Sequence, residues 1–358
     1  MNQALDMKVN CLPSRTWNWL HMNEAVINQV MVKGENKVTI TLPSNISQGN
    51  TPETDFEKIA TGMGDDMDKL VSGSEISSLT FVTEKGEKIL QPLRLAFHYK
   101  DNNRQLNVID LHIQQGSEAT VIMDYSCEKE AEGLAAVRTR IMGEKDSHLN
   151  LIQVQRLDQN FECMNDVGIC CKENASVQVF HLILGGKNIW QGCRADLLGR
   201  DSHFQGEIGY LAGGRMHLDM NYVIRHFGRN TTCDINSSGV LKDQASKLFR
   251  GTIDFVKGCA GSKGNEKEDV LLLDDTVKNQ TIPVILCAEE DVEGNHGATI
   301  GQLDGELMFY LRSRGLSESY IYEMLAKARI DAICSKIPDM QIREEIRHYL
   351  EGGETDVQ

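Results

Sequence analysis

The 358-residue sequence carries 41% hydrophobic and 25% charged residues, the make-up of a globular chain with room for one large domain or two to three smaller ones. Its formal net charge of −15 argues against nucleic-acid binding, which needs a concentrated basic surface, and the one basic cluster, RHFGR at 225–229, is short. No apolar run approaches the ~20 residues of a membrane span, and the N-terminal MNQALDMKVN lacks the layout of a signal peptide, so a cytoplasmic location with ten reduced cysteines is expected.

Residues 1–75 read as a small mixed α/β region. SRTWNWLHMNE (14–24) suggests a short helix or hook anchored by Trp17, Trp19 and Leu20. KVTITL (37–42) alternates like a strand. TDFEKIATGMGDDMDKLVSG (54–73) places Phe56, Ile59, Met63, Met67 and Leu70 at helical spacing, weakened by Gly62 and Gly64.

From 76 to 300 the period is two. LRLAFHY (93–99), ATVIMDY (119–125) and HLDMNYVI (217–224) each put their apolar residues on one face. Polar corners precede strands at Glu118, Ser147, Ala175, Ser202, Met216, Thr231 and Ala245, in steps of 29, 28, 27, 14, 15 and 14 residues. One or two units of a fixed length predict a parallel β-helix, a solenoid core. A β-sandwich competes, but its strands recur less regularly, at roughly 8–12 residues. Between Pro92 and Pro283 there is no proline, which suits a long stack of paired strands.

From 301 to 358 the period is helical, predicting a C-terminal α-helical domain. QLDGELMFYLRSRG (302–315) ends at Gly315, a C-cap candidate. The next helix runs from Ser317 to Pro338 with a stripe of Ile321, Met324, Leu325, Ala328, Ala332 and Ile333. The last begins at Asp339 with Ile342, Ile346 and Leu350. These stripes are expected to pack mainly on one another.

The cysteines show no C-x-x-C spacing, so zinc fingers and locally ligated clusters are disfavoured, and most should be small buried hydrophobes. Neither GCAGSKG (258–264) nor LAGGRM (211–216) is a complete phosphate loop. AEEDVE (288–293), near Cys259 and Cys287, reads as a solvated acidic face. His217 and His226 read as separate residues of one strand. That leaves EGNHGATIGQLD (293–304), where His296 stands among Gly294, Gly297 and Gly301 just before the helices. The glycines suggest a tight bend that presents the imidazole, either as a reactive group or as a polar residue at a junction.

The run EGNHGATIGQLDGELMFYLRSRGLSE (293–318), together with MNYVIRHFGRNTTCDINSSGVLKDQASKLFRGTIDF (220–255) and DVLLLDD (269–275), closely resembles the SufB/SufD family, scaffold subunits of the SUF iron–sulfur cluster assembly machinery. The resemblance spans most of residues 140–335. It implies a central parallel β-helix, dimerisation through it as SufB with SufD or as like pairs, and a helical domain that docks SufC, an ABC-type ATPase. Docking would fall on the helices bearing Leu307, Tyr310, Arg314, Tyr320, Met324 and Arg329. ATP would bind the partner only, and sulfur would come from a cysteine desulfurase. SufB-like chains carry a cysteine where this chain has Glu268, and a glutamate where it has Gly297; HGAT is the SufD-like form. Gly294 stands where many SufD-like chains have cysteine. The resemblance implies no permanent cofactor, only transient iron or a nascent cluster at a dimer interface, with His296 as the candidate ligand. Two other readings stay open: a β-helix enzyme acting on acidic polysaccharide, and a homodimeric scaffold that replaces SufB.

Overall fold

The computed structural model describes residues 4–14, 18–35, 37–49, 56–302 and 305–351. Strands β1 (Leu5–Val9) and β2 (Ala25–Val30) form an antiparallel pair. β3 (Val38–Thr41), β4 (Ile46–Gln48), α1 (Asp65–Ser72) and β5 (Leu79–Thr83) follow. The regular stack then runs through β6 (Leu93–Tyr99), β7 (Arg104–Ile113), β8 (Glu118–Cys127), β9 (Gly133–Gly143), β10 (His148–Arg156), β11 (Phe161–Cys171) and β12 (Ser176–Ile183). It continues through β13 (Asn188–Leu197), β14 (His203–Ala212), β15 (His217–His226), β16 (Thr232–Leu241), β17 (Ser246–Phe255), β18 (Ser262–Leu272), β19 (Lys278–Cys287) and β20 (Val292–Gln302). Helices α2 (Gly305–Ser313), α3 (Glu318–Cys334) and α4 (Met340–Leu350) close the described chain.

Successive strands alternate between two nine-stranded sheets, so each coil is two strands and the chain is a parallel β-solenoid of about eight turns. The first sheet is ordered β3-β6-β8-β10-β12-β14-β16-β18-β20, the second β4-β5-β7-β9-β11-β13-β15-β17-β19. The corners predicted from sequence fall at the starts of strands: Glu118 opens β8, and Ser147, Ala175, Ser202 and Thr231 stand one residue before His148, Ser176, His203 and Thr232, which share a register row with Glu118, while Met216 and Ala245 stand just before β15 and β17 of the other sheet. Asp146, Asn174, Asp201 and Asn230 take positive φ there, a conformation that short polar side chains tolerate, and Asn174 Nδ2 donates to Asp146 Oδ1 at 2.8 Å.

Inward-pointing residues such as Val121, Leu151, Val179 and Ile235 fill the coil interior. The outer faces are covered as well. β1, β2 and α1 lie on the second sheet against Leu106, Leu134, Met164 and Trp190. The expected helix over 54–73 is confined to Asp65–Ser72. Residues 59–63 instead form a strap across that sheet, and 54–55 lie outside the described residues. The strap passes so close that a Cβ on Gly192 would lie 2.6 Å from the Met63 nitrogen. Of the expected N-terminal anchors, Trp17 lies outside the described residues, and Trp19 and Leu20 are exposed.

The tail helices do not pack chiefly on one another. Ile330, Ile333, Ile337, Ile342 and Ile346 lie on Ile122, Ile152, Val154, Phe180 and Leu182, the outward residues of the first sheet. Burying that apolar flank rotates α3 away from the expected stripe: Ile321, Ala326, Ile330, Ile333 and Cys334 are buried, while Met324, Ala328 and Ala332 face solvent. Ser317 and Asp339 cap their helices as expected, accepting from the Tyr320 and Ile342 nitrogens. No described helix is long and apolar enough to cross a membrane.

Candidate functional site

The C-terminal end of the solenoid is open. β19 and β20 are the outermost strands of their sheets, and nearly all of β20 is exposed. Pro283 sits in β19, an edge strand, where its missing N–H disturbs the ladder least.

His296 lies in the middle of β20, not on a bend. Gly294 and Gly297 are strand residues within the ladder to β18, and neither has positive φ. The register decides where the imidazole points. Asn295 Nδ2 donates to Asn265 Oδ1 at 3.1 Å, and Glu293 pairs with Lys263 at 3.0 Å, so odd-numbered residues face outward. A Cβ on Gly294 would meet the buried Phe255 and also Ile285, which pairs with the inward-facing Ile253, so even-numbered positions face inward. His296 is therefore on the inward row, paired with Glu266 on β18, while Gly297 faces out with open space around it.

Beneath His296 the interior is polar. Lys247 and Glu268, both almost wholly buried, form an ion pair. Thr281 Oγ1 donates to Glu268 Oε2 at 2.6 Å and accepts from Lys247 Nζ at 3.1 Å. Burial holds the Lys247 ammonium below its usual range, opposed by the Glu268 carboxylate. Glu266 is pushed up to about 8, first by burial and then by the neighbouring Glu268 charge. Its carboxylate accepts no hydrogen bond among the described residues.

Further inside, Asn165 Nδ2 donates to Gln153 Oε1 at 2.7 Å and to Gln191 Oε1 at 2.9 Å, and His181 Nδ1 meets the Tyr222 hydroxyl at 2.5 Å. Burial pushes His181 down to about 3 and His226 to about 4. These groups satisfy one another only in part: Asn165 Oδ1, Gln191 Nε2 and His181 Nε2 are buried without a partner among the described residues.

Among the described residues, no three of His, Cys, Asp and Glu come together to hold a metal ion. His296 and Glu266 offer one imidazole and one carboxylate, donors that suit iron(II) but complete no site. Cys259 is buried, and Cys287 donates to the Glu289 carbonyl at 3.0 Å. The Glu289 carboxylate accepts from the Gly258 and Glu290 nitrogens, so part of the acidic run serves a corner. His217 and His226 stand at opposite ends of β15; His217 meets Ser246 Oγ at 2.8 Å and His226 meets Thr231 Oγ1 at 2.7 Å.

A second exposed feature is apolar. Leu307, Tyr310, Tyr320 and Met324 are all at the surface on α2 and the start of α3, with Arg314 lying over the Tyr310 ring. Phe309, 76% exposed, belongs with them and was not singled out from sequence. Arg329 does not: it bonds Asp269 on β18 at 2.8 Å, fastening α3 to the solenoid. Lys247, Glu266 and Thr281 also escaped the sequence reading. Their signal is charge or polarity on the apolar parity of a strand, as in Lys247 with Phe249 and Ile253, or Glu266 with Val270.

The family model for the SufBD core domain of SUF-system FeS cluster assembly matches residues 97–329, from β6 into α3. The iron–sulfur cluster assembly protein SufB of Bacillus subtilis (strain 168) is 24% identical over 281 residues, covering 75% of this chain and 59% of that protein. An iron–sulfur cluster assembly SufBD family protein of Staphylococcus aureus (strain USA300) matches to the same extent. One from Mycobacterium bovis is 30% identical over 151 residues, covering 42% of this chain and 18% of that protein. The chain thus spans well under two thirds of the length of these relatives. Because that family model covers well over half of the chain, taking in the open mouth and most of α3, the chain belongs to the SufBD family of iron–sulfur cluster assembly proteins.

Proposed function

We propose that this chain is a non-catalytic, SufD-like scaffold subunit of the cytoplasmic SUF machinery. It pairs through its open solenoid end with SufB or a second copy of itself, and docks a SufC-type ATPase through α2 and the start of α3. The observation that carries the reading is the uncovered terminal coil. Among the described residues, two long strands leave their outer edges unpaired around a polar interior, and such edges call for a partner. Glu268 stands where SufB-like chains have a thiol and is held by Lys247 and Thr281; Gly297, where they have a carboxylate, has no side chain. The cluster's thiolates would therefore come from the partner, with sulfur from a cysteine desulfurase and ATP on the ATPase. Iron or a nascent cluster is cargo at the closed mouth, met by His296. A polysaccharide-acting reading finds less support, because both solenoid flanks are covered by the chain's own segments.

The test is co-purification with an ABC-type ATPase. Phe309→Glu combined with Tyr310→Glu should abolish it with the solenoid intact. Deleting 301–358 is less clean, because it bares Ile152 and Phe180. Ile300→Arg should abolish end pairing and leave the monomer folded. Retention of the ATPase by the α2 variant, or cleavage of pectin-like sugars by the pure chain, would overturn the reading.

A further inference from the structure

Independently of end pairing, we propose that the groove between the outer face of the second sheet and the N-terminal segment around Met22 binds a small organic anion, a carboxylate or phosphate group carried on an apolar or aromatic body.

The register builds the groove. Outward residues of β13, β15, β17 and β19 stand in rows. Asn188, His217, Ser246 and Lys278 form one row, and Trp190, Asp219, Leu248 and Gln280 form the next. Two residues of extended strand separate the rows, about 6.6 Å. Leu20, Met22 and Val26 line the same space, whose volume is about 560 Å³. That volume lies within the usual range of small-molecule sites.

Arg250 lines this groove and is fully buried. Its Nε donates to the Met22 carbonyl at 2.7 Å, and its Nη1 to Asp219 Oδ1 at 2.7 Å. Its Nη2 is buried with no partner among the described residues. A buried guanidinium ordinarily uses its donors, because a bare N–H away from water is costly. Asp219 does not satisfy it as a fork. The same Oδ1 also accepts from Asn10 Nδ2 at 2.7 Å, so the two-bond pairing that arginine makes with a planar anion is left half-made.

The charge balance favours the same class of ligand. The chain as a whole carries −15, yet both acids of the groove are already engaged: Asp219 by Arg250, and Glu24 by Lys8 at 3.2 Å. Lys278 is exposed and forms no ion pair among the described residues. Met22 and Leu248 alone would take any apolar molecule. The unspent guanidinium N–H groups and the unpaired ammonium select a negative one, with its body against Trp190 and Leu248.

The probe is anilinonaphthalene sulfonate, an aromatic body with one anionic group, read by its fluorescence. The full-length chain carries Phe309→Glu and Tyr310→Glu, so that the exposed rings of α2 do not take up the dye. Saturable binding is expected at one site per chain. Lys278→Gln should weaken it at least about tenfold, and so should Arg250→Lys, which keeps the charge but lacks Nη2. The uncharged analogue N-phenylnaphthylamine should not respond to Lys278→Gln. Millimolar inorganic phosphate or succinate should displace the sulfonate; the stronger competitor assigns the natural group as a phosphate ester or a carboxylate. Lys278 is exposed, so its variant carries the test if Arg250→Lys fails to fold. The proposal is overturned if Lys278→Gln stays within about twofold of the parent chain, if both dyes weaken equally, or if neither anion competes.

Discussion

The two ends of the solenoid are finished in opposite ways. At the N-terminal end the chain turns back, and β3 and β4 add to the sheets antiparallel, as strands of four and three residues. Val38, Ile40, Ile46 and Phe81 close the interior there, over the stacked rings of Phe97 and Tyr125. At the C-terminal end the outermost strands are ten and eleven residues long, and the interior beneath them holds Lys247, Glu266, Glu268 and Thr281. Short edges over an apolar plug protect a monomer from unwanted pairing; long edges over a polar pit do the reverse. The same coil geometry is sealed at one end and left receptive at the other.

That contrast can be broken by substitution. Phe97→Ala in the sealed end should cost about 3–5 kcal/mol in a urea titration, because it empties a fully buried ring site. Near the open end Lys247→Met should cost about 3–5 kcal/mol, because it leaves the buried Glu268 carboxylate with no cation and only the Thr281 hydroxyl as a hydrogen-bond partner among the described residues. Replacing Glu268 by Leu as well should recover most of that loss. If Lys247→Met alone is neutral, the pit is already wet and the contrast weakens.

Between the ends, His226 gives a pH readout. Burial lowers its folded pKa below the ordinary value, so its stabilising contribution is complete above about pH 6.5 and is lost as pH falls toward 4. Wild type should lose about 1–2 kcal/mol from this residue between about pH 6.5 and 5, and His226→Asn should show a shallower slope whatever its absolute stability. The smallest effect is expected at the mouth itself: Ile300→Ala, at a half-exposed inward position, should stay within about 0.5 kcal/mol in the unpaired chain.

Much of the fold was legible because each coil repeats the same local chemistry. Apart from Glu130, the corners of the stack that take positive φ carry Asp, Asn or Gly, and the strand after each alternates, so the spacing of corners reveals the stack. The covered flank was not legible. β10 and β12 carry apolar residues on both faces, as in Leu151–Ile152 and Val179–Phe180, and a strand buried on both faces loses the alternation that says which side faces out. That is why the stripe on α3 was misplaced: the sheet chooses the helix face, and the sheet face was hidden in the pattern.

At the site, His296 could be singled out but not oriented. Its glycine neighbours resemble a bend locally. Their extended conformation and inward–outward order follow from pairing with β18, thirty residues back in sequence and invisible to a local period. Gly294 is small because Phe255 and Ile285 crowd its inward side, not because the chain turns there. Glu266 was missed for the same reason, since its burial depends on strands distant in sequence.

One fastening has a mechanical reading. Arg329 clamps α3 to Asp269, and Asp269 is the immediate neighbour of Glu268 on β18. The exposed start of α3, with Tyr320 and Met324, is a few turns away along the same continuous helix. A pull on that exposed stretch is therefore delivered along a stiff lever to the strand whose other face lines the mouth.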